Sequence, residues 1–451
     1  MTTHALPLPS NESLLAPGRA AAVAGAVLLV SLLAFEAIAV AAAMPAIAQA
    51  LDGERLYALA FGGTLATSVL GMVLAGRWCD RHGAWRATAI GLAVFTAGLL
   101  IAGLAATMGW VVAGRIVQGL GGGMLGVALY VGMGQAVPQP LHPRLFALFA
   151  GAWVLPALVG PGIAALLVAW WGWRAVFLAV AALVPLAAMA LLPAFARLPT
   201  RRHAVADHSA QPIVWAALAA LGALLLHGAS QGDRPAAAPL LLGAGALLGW
   251  AAARRLLPSG SLRAQRGLPA VIALRGLVAA AFATGEVFIP LYLTREHGWS
   301  LAAAAMALSA AALTWSAGSA WQARLQGDTQ RQRGLRGGFV LLAGGIAVVA
   351  LQVLLAAPAW WVVAGWTVAG LGIGLAFPML SVLVLQLSPP AEQGRNASAL
   401  QLADALCSSA ALALAGALFA LGGGAWRYAA VLGLALGLAL LGAWRAGRAT
   451  G

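Results

Sequence analysis

The residues of this chain best suited to proton chemistry are three acids that lie inside long apolar stretches: Glu36, Glu286 and Asp404. Arg115 and Arg275 are the only cations in such stretches. A charge at bilayer depth costs about 2.5–3.5 kcal/mol on insertion scales, so these residues are expected to face a cavity or a partner. Burial favours the neutral form of a carboxyl, and a nearby cation favours the charged form. The candidate proton-coupling residues are therefore Glu36, Glu286, Arg115 and Asp404, with a purely structural ion pair as the alternative.

Other kinds of reactive site find little support in the sequence. The two cysteines, Cys79 and Cys407, are too few for a disulfide scaffold or a cysteine-based zinc site. The seven histidines are scattered, and no pair has metal-ligand spacing on one helix. Without any lysine the chain cannot form the Gly-Lys-Ser/Thr loop that binds phosphates. The sequence therefore predicts no enzyme, no metal and no cofactor.

The composition requires that most of the chain be solvated by lipid. Of 451 residues, 62% are hydrophobic and only 8% are charged, and the mean hydropathy is +0.91. Soluble domains carry about 25% charged residues, so both a soluble and a disordered protein are excluded. The apolar stretches also lack the continuous polar pathway that a channel needs. An all-α integral membrane protein is the remaining class.

Fourteen apolar runs are long enough to cross a bilayer at about 1.5 Å per residue. They are residues 20–44, 56–75, 87–107, 110–134, 145–169, 174–193, 211–228, 238–253, 268–293, 301–322, 337–357, 360–385, 397–421 and 426–444. The eighth run is the shortest. If the seventh and eighth formed a re-entrant hairpin, the chain would cross twelve times.

The distribution of arginine predicts the orientation. All 26 basic residues are arginine, and the fourteen-span arrangement places nineteen on the side of the two termini, five on the opposite side and two inside spans. Cytoplasmic loops are enriched in basic residues, so both termini are predicted to be cytoplasmic in the inner or plasma membrane. The net charge of +14 is thus a topology signal and not a sign of nucleic-acid binding.

The same pattern divides the chain into segments. They are a cytoplasmic tail (1–19), an N-terminal six-helix bundle (20–193), a polar cytoplasmic linker (194–210), two additional spans (211–255), a C-terminal six-helix bundle (268–444) and a second cytoplasmic tail (445–451).

Between the second and third spans the chain reads Gly-Arg-Trp-Cys-Asp-Arg-His-Gly-Ala-Trp-Arg, from residue 76 to residue 86. This segment resembles the G-x-x-x-D-R-x-G-x-x-R signature of the major facilitator superfamily. The resemblance implies a gating role for Gly76, Asp80, Arg81, Gly83 and Arg86. In physical terms, Gly83 permits a tight reversal. The Asp80 carboxylate can cap a helix or pair with arginine, forming a latch between the bundles in one state only.

Further motifs resemble those of the fourteen-span drug:proton antiporters in that superfamily. Arg115 to Gly119 is similar to the R-x-x-Q-G element associated with proton coupling, and Gly160-Pro161-Gly162, with Pro156 before it, is similar to the antiporter motif. Proline and glycine there predict a bend in the helix. Phe35-Glu36-Ala37-Ile38 resembles the family's first span, with Glu36 where aspartate is usual.

The resemblance implies a major facilitator fold of two six-helix bundles with pseudo-two-fold symmetry plus two extra central helices. It also implies a proton-coupled antiporter that exports amphipathic or cationic small molecules by alternating access, driven by the proton gradient and acting as a monomer. Candidates for the substrate cavity are Gln118, Tyr130, Trp153, Phe282, Tyr292 and Trp315. The alternative is a proton-linked carrier of a metabolite such as an amino acid or siderophore, although the spans offer few hydrogen-bonding groups for one.

Overall fold

The computed structural model describes residues 14, 16, 19–138, 141–198, 211–229, 237–325, 327–389 and 392–449. Most of the predicted linker over 194–210, nearly all of the N-terminal tail and the last two residues lie outside this part of the chain.

The described residues form thirteen α-helices. They are α1 (Ala20–Ala50), α2 (Tyr57–Gly103), α3 (Met108–Ala136), α4 (His142–Trp171), α5 (Arg174–Ala196), α6 (Gln211–Ala229), α7 (Ala238–Leu256), α8 (Leu268–Arg295), α9 (Leu301–Gln322), α10 (Asp328–Leu355), α11 (Trp360–Leu387), α12 (Gln393–Leu421) and α13 (Trp426–Arg445). Helices are expected here because a segment in lipid must satisfy its own backbone hydrogen bonds.

Twelve helices in the described ranges are long and apolar enough to cross a membrane, so the chain is a multi-pass membrane protein. The helix α7 is not among them, and α2 is counted as one helix. Fourteen complete crossings are therefore not confirmed. The helices α6 and α7 have 19 residues each, about 28 Å of helix and close to the hydrocarbon thickness of about 30 Å.

The long helix α2 reverses direction at Gly83. It has 47 residues, and Gly83 interrupts it with φ +80° and ψ 164°, a backbone conformation open essentially to glycine alone. Gly71, before the interruption, and Gly91, after it, both pack against the turn of α3 around Leu120 to Leu125. The two parts of α2 are thus antiparallel arms, and the predicted reversal at Gly83 is confirmed.

The two halves of the chain use equivalent helix contacts. Gly123 of α3 packs on the backbone of Ser68, and Gly374 of α11 packs in the same way on Trp315. Beside these contacts the Thr67 hydroxyl donates to the Ile116 carbonyl at 2.7 Å, as the hydroxyl of Thr314 does to the Thr367 carbonyl at 2.6 Å. Such close approach is possible because glycine lacks a Cβ. The second half therefore repeats the helix packing of the first.

The helices α6 and α7 form a hairpin that touches both halves. A Cβ on Gly245 would lie 2.7 Å from the carbonyl oxygen of Gly222, so the two helices approach each other closely here. The helix α6 also contacts α2 and α12. His227 of α6 is fully buried and occupies the space that a Cβ on Gly62 of α2 would need. The hairpin is thus an integral part of the packing and not a peripheral addition.

Candidate functional site

The first candidate site is a buried ionic cluster in the N-terminal half. Glu36 of α1 forms an ion pair with Arg115 of α3, and their side chains are 7% and 5% exposed. Arg115 also donates to the Gln118 amide oxygen at 3.1 Å and, through Nε, to the Ala60 carbonyl at 3.2 Å. The structure therefore joins three predicted site residues, Glu36, Arg115 and Gln118, in one buried cluster.

A second ionic cluster lies in the C-terminal half. Arg275 of α8 contacts Asp404 of α12, with 3.3 Å between Nε and the carboxylate. Arg275 also donates to the Ser381 hydroxyl at 3.0 Å and to the Phe377 carbonyl at 3.1 Å. The Asp404 side chain is 28% exposed, so it is more accessible than Glu36. Each half thus neutralises its one intramembrane arginine with one acid.

Aromatic rings extend from the second cluster. The guanidinium of Arg275 lies 3.1 Å from the centroid of the Phe377 ring. Trp315 packs edge-on against Phe377 at 5.5 Å and against Phe282 at 5.2 Å. Phe282 in turn stacks on Trp366 at 4.6 Å between centroids. Two predicted cavity residues, Phe282 and Trp315, therefore belong to one largely buried aromatic cluster that ends at a charged pair.

Glu286 differs from the other two acids because its carboxylate has no hydrogen-bond or ion-pair partner among the residues that the structure describes. It lies one helical turn after Phe282 and next to Gly285 on α8, where Trp366 packs closely enough to exclude a Cβ. The helix α8 contacts α1, which carries Glu36. No described residue therefore compensates a negative charge at this position.

The face of the protein that carries the α1–α2 connection, here called the distal face, holds the two halves together. Glu54 contacts Arg295 at 2.8 Å and Arg427 at 3.8 Å, and Arg427 also contacts Glu296 at 3.4 Å. Tyr57 donates to the Val287 carbonyl at 2.8 Å. Glu54, Arg295, Glu296 and Arg427 are here called the distal network, and two of them, Glu54 and Arg427, line a cavity of about 340 Å³.

The opposite, proximal face carries the gating motif, and there the motif is not engaged. Asp80, Arg81 and Arg86 are exposed. Asp80 forms neither the predicted cap nor an ion pair with any described residue. In this conformation the halves are joined on the distal face instead.

The antiporter motif lies against the first ionic cluster. The helix α4 continues through Pro156 and Pro161, and a Cβ on Gly160 would contact Phe35 and Ile38, which flank Glu36, at 3.5 Å. Gly162 is exposed. The motif thus sets the packing distance between α4 and the part of α1 that holds the buried acid.

The remaining predicted cavity residues are not brought together with the aromatic cluster. Tyr130 packs on Phe149 and is exposed, as is Trp153. Tyr292 is buried and its hydroxyl lies 3.1 Å from the His297 ring near the distal face. The predicted cavity residues are therefore divided between the two halves of the protein and between two depths in the membrane. The reason is that side chains from different helices meet only where those helices cross.

Several residues of the site are not revealed by sequence patterns. Trp366, Phe377 and Ser381 join the second cluster although each looks like an ordinary residue of an apolar span. Part of the distal network could be predicted from the sequence, because Arg295 and Arg427 are two of the few arginines predicted on that face. Groups of His, Cys, Asp and Glu that could hold a metal ion are absent from the described ranges.

Both the fold and the placement of the motifs are those of a known family of carriers. The sequence profile of the Major Facilitator Superfamily matches residues 25–354, and the chain belongs to this family. It is a membrane transporter of small molecules and not an enzyme.

Two relatives align with most of the chain. A probable multidrug-efflux transporter of Mycobacterium tuberculosis is 28% identical over 394 residues, which are 83% of this chain and 82% of that protein. A probable actinorhodin transporter of Streptomyces coelicolor is 29% identical over 408 residues, which are 84% of this chain and 68% of that protein.

Solved structures support the fold. A POT family transporter in complex with 5-aminolevulinic acid has a TM-score of 0.71 at 14% identity, covering 93% of this chain and 94% of that one. The human organic anion transporter has a TM-score of 0.62 at 17% identity, covering 95% and 99%. At these identities the likeness concerns the fold alone.

Proposed function

We propose that the protein exports amphipathic or cationic small molecules in exchange for protons. The observation that carries this proposal is the contrast between two carboxyls on contacting helices: Glu36 is paired with Arg115, whereas Glu286 has no partner among the described residues. Arg115 supplies a countercharge for the first carboxyl, and no described residue supplies one for the second. A movement of the two halves that changes these surroundings is therefore expected to change which carboxyl holds a proton, and this would link substrate export to proton uptake.

The conformational cycle follows from the two faces. The distal network and the bond from Tyr57 to Val287 close the distal side in the present state. In the alternate state these contacts break and the latch around Asp80 forms on the proximal side. Because the substrate site lies between the halves, rocking them exposes it to one side at a time.

The substrate class is proposed from the lining and from the relatives. The partly exposed rings of Phe377 and Trp315 suit a flat or cationic molecule, and the Asp404 carboxylate near them, although paired with Arg275, is 28% exposed. Relatives named as transporters of drugs and of actinorhodin align over most of the chain. A hydrophobic substrate agrees with the small number of hydrogen-bonding groups in the spans.

Setting and energy source complete the proposal. The arginine bias supports an orientation in a plasma or inner membrane with the proximal face and both termini on the cytoplasmic side. A single chain contains two bundles and the site between them, so a monomer suffices. The proton gradient supplies the energy, and no cofactor takes part.

The test is substrate-induced proton release from the purified protein in weakly buffered detergent solution. A panel of cationic dyes and antibiotics is compared with amino acids and siderophores. We expect release with dyes or drugs for the native protein and none for Glu36→Gln or Glu286→Gln. Glu392→Gln, an exposed acid near the start of α12, is the matched control and should release normally. Release by metabolites alone would favour a nutrient carrier, and release by none of the compounds would reject proton coupling.

A further inference from the structure

A second concave site lies at the proximal end of the α6–α7 hairpin, far from the ionic clusters. A cavity of about 450 Å³ is lined by Trp215, Trp250, Ala251, Arg254 and Arg255. Trp215 comes from the beginning of α6, and the other four come from the end of α7. The two helix ends lie side by side, so the partial positive charge at the start of α6 offsets the partial negative charge at the end of α7.

The two arginines of this cavity are held by aromatic rings and not by acids. The guanidinium of Arg254 lies 4.6 Å from the Trp250 ring centroid, and that of Arg255 lies 5.7 Å from the Trp215 ring centroid. Neither forms an ion pair with a carboxylate in the described ranges. A guanidinium that stacks on a ring keeps its in-plane N–H donors free, and this fork matches a phosphate.

The position of the cavity indicates what kind of phosphate reaches it. Leu240, Leu247 and Arg254 are spaced by seven residues and therefore share one face of α7, and the two leucines are 74% and 62% exposed. Exposed Trp250 lies between the leucines and the arginines, at the level where tryptophan marks the membrane interface. An apolar track thus leads directly to two cations that have no carboxylate partner in the described part of the chain.

We propose that this cavity, the hairpin site, binds the headgroup of an anionic phospholipid. The phosphate lies between Arg254 and Arg255, the rings of Trp215 and Trp250 border the headgroup, and an acyl chain follows Leu247 and Leu240. Basic pockets between membrane helices on the cytoplasmic side bind anionic headgroups by the same physics. The helix α6 packs on both α2 and α12, so the α6–α7 hairpin bridges the two halves. The bound lipid therefore contacts this bridging hairpin.

The test measures binding of phosphatidylglycerol to the purified full-length protein by native mass spectrometry in detergent. Each arginine near an anionic headgroup contributes about 1 kcal/mol, so Arg254→Gln/Arg255→Gln should weaken binding by about thirtyfold. The matched control, Arg263→Gln/Arg266→Gln, removes two exposed arginines from the adjacent connection and should change binding by less than threefold. Equal loss in both double variants would show non-specific attraction and overturn the proposal.

Two further comparisons identify the ligand. Phosphatidylcholine should bind at least tenfold more weakly than phosphatidylglycerol; equal binding would exclude recognition of net charge. Inorganic phosphate at millimolar concentration should not displace the lipid; full displacement would make the cavity a site for soluble anions.

Trp215→Leu keeps both charges and should weaken lipid binding twofold to fivefold by loss of the cation–π contact. It gives a second readout should the arginine variant fail to fold, and unchanged binding by it would contradict the assigned geometry.

Discussion

Replacing Glu36 by glutamine removes the one acid that pairs with Arg115 among the residues that the structure describes. With side-chain exposures of 7% and 5%, water cannot take the place of the lost carboxylate. Removing one partner of a buried ion pair costs about 3–5 kcal/mol, because the other charge stays buried. Gln118 and the Ala60 carbonyl still accept hydrogen bonds from Arg115. We therefore expect Glu36→Gln to lower the free energy of unfolding by about 3 kcal/mol.

The same substitution at Glu286 should have a different effect on stability. Its carboxyl has no partner among the described residues, so the amide breaks no ion pair and removes a group that is costly to charge. We expect Glu286→Gln to change the free energy of unfolding by less than about 0.5 kcal/mol, or to raise it. Both variants should nevertheless lose proton-coupled efflux, since neither amide titrates.

A double-mutant cycle separates the ion pair from other effects of the substitution. In Glu36→Gln/Arg115→Gln both charges are absent, and the two amides can bond to each other and to Gln118. Residues in contact show coupling energies of about 0.5–3 kcal/mol. The double variant should therefore regain at least 1 kcal/mol of the stability that Glu36→Gln loses, a conservative value within that range.

The assay is denaturant or thermal unfolding in detergent micelles, combined with dye efflux driven by a pH gradient in proteoliposomes. Equal destabilisation by Glu36→Gln and Glu286→Gln would refute the difference in their surroundings. Additive losses in the double variant would refute the ion pair. Full pH-driven efflux in both single variants would refute the proton-coupling role, independently of any change in stability.

The other predictions concern the distal network and two glycines. Glu54→Gln removes two ion-pair contacts of partly exposed groups, which should weaken the closure of the distal side by about 1 kcal/mol. The rate at which a thiol reagent labels a cysteine introduced in the distal cavity by Ala420→Cys should then rise about fivefold. Glu392→Gln on the opposite face should leave this rate unchanged, and an equal rise in both variants would contradict a gate at the distal network. Gly123→Ala should lower the thermal unfolding temperature, because the added Cβ would meet the backbone of Ser68. Gly126→Ala on the same helix has free space for its Cβ and should keep or raise that temperature. Equal effects of the two substitutions would contradict the close packing at Gly123. Gly83→Ala forces φ +80° on alanine and should cost about 1–3 kcal/mol in unfolding measurements, whereas Gly76→Ala, with no neighbour within 4 Å, should be neutral.

The positions of the helices and of the reversal at Gly83 were predictable from sequence. A bilayer imposes its thickness and its lack of hydrogen-bonding partners on each segment separately, so the pattern within about 20 residues is sufficient. The number of complete crossings was less predictable. The helix α7 has a borderline length and ends in two arginines. Whether such a helix crosses the membrane completely depends on what packs beside it.

The few intramembrane charges were also identifiable one by one, because a charge in an apolar run is costly wherever the run lies. Their partners were not. Glu36 and Arg115 are 79 positions apart, and Arg275 and Asp404 are 129 apart. Which acid meets which arginine, and that Glu286 meets neither, depends on how each helix is rotated and where it crosses its neighbours. Those angles are set by glycine contacts between helices distant in sequence, and only the assembled bundle contains them.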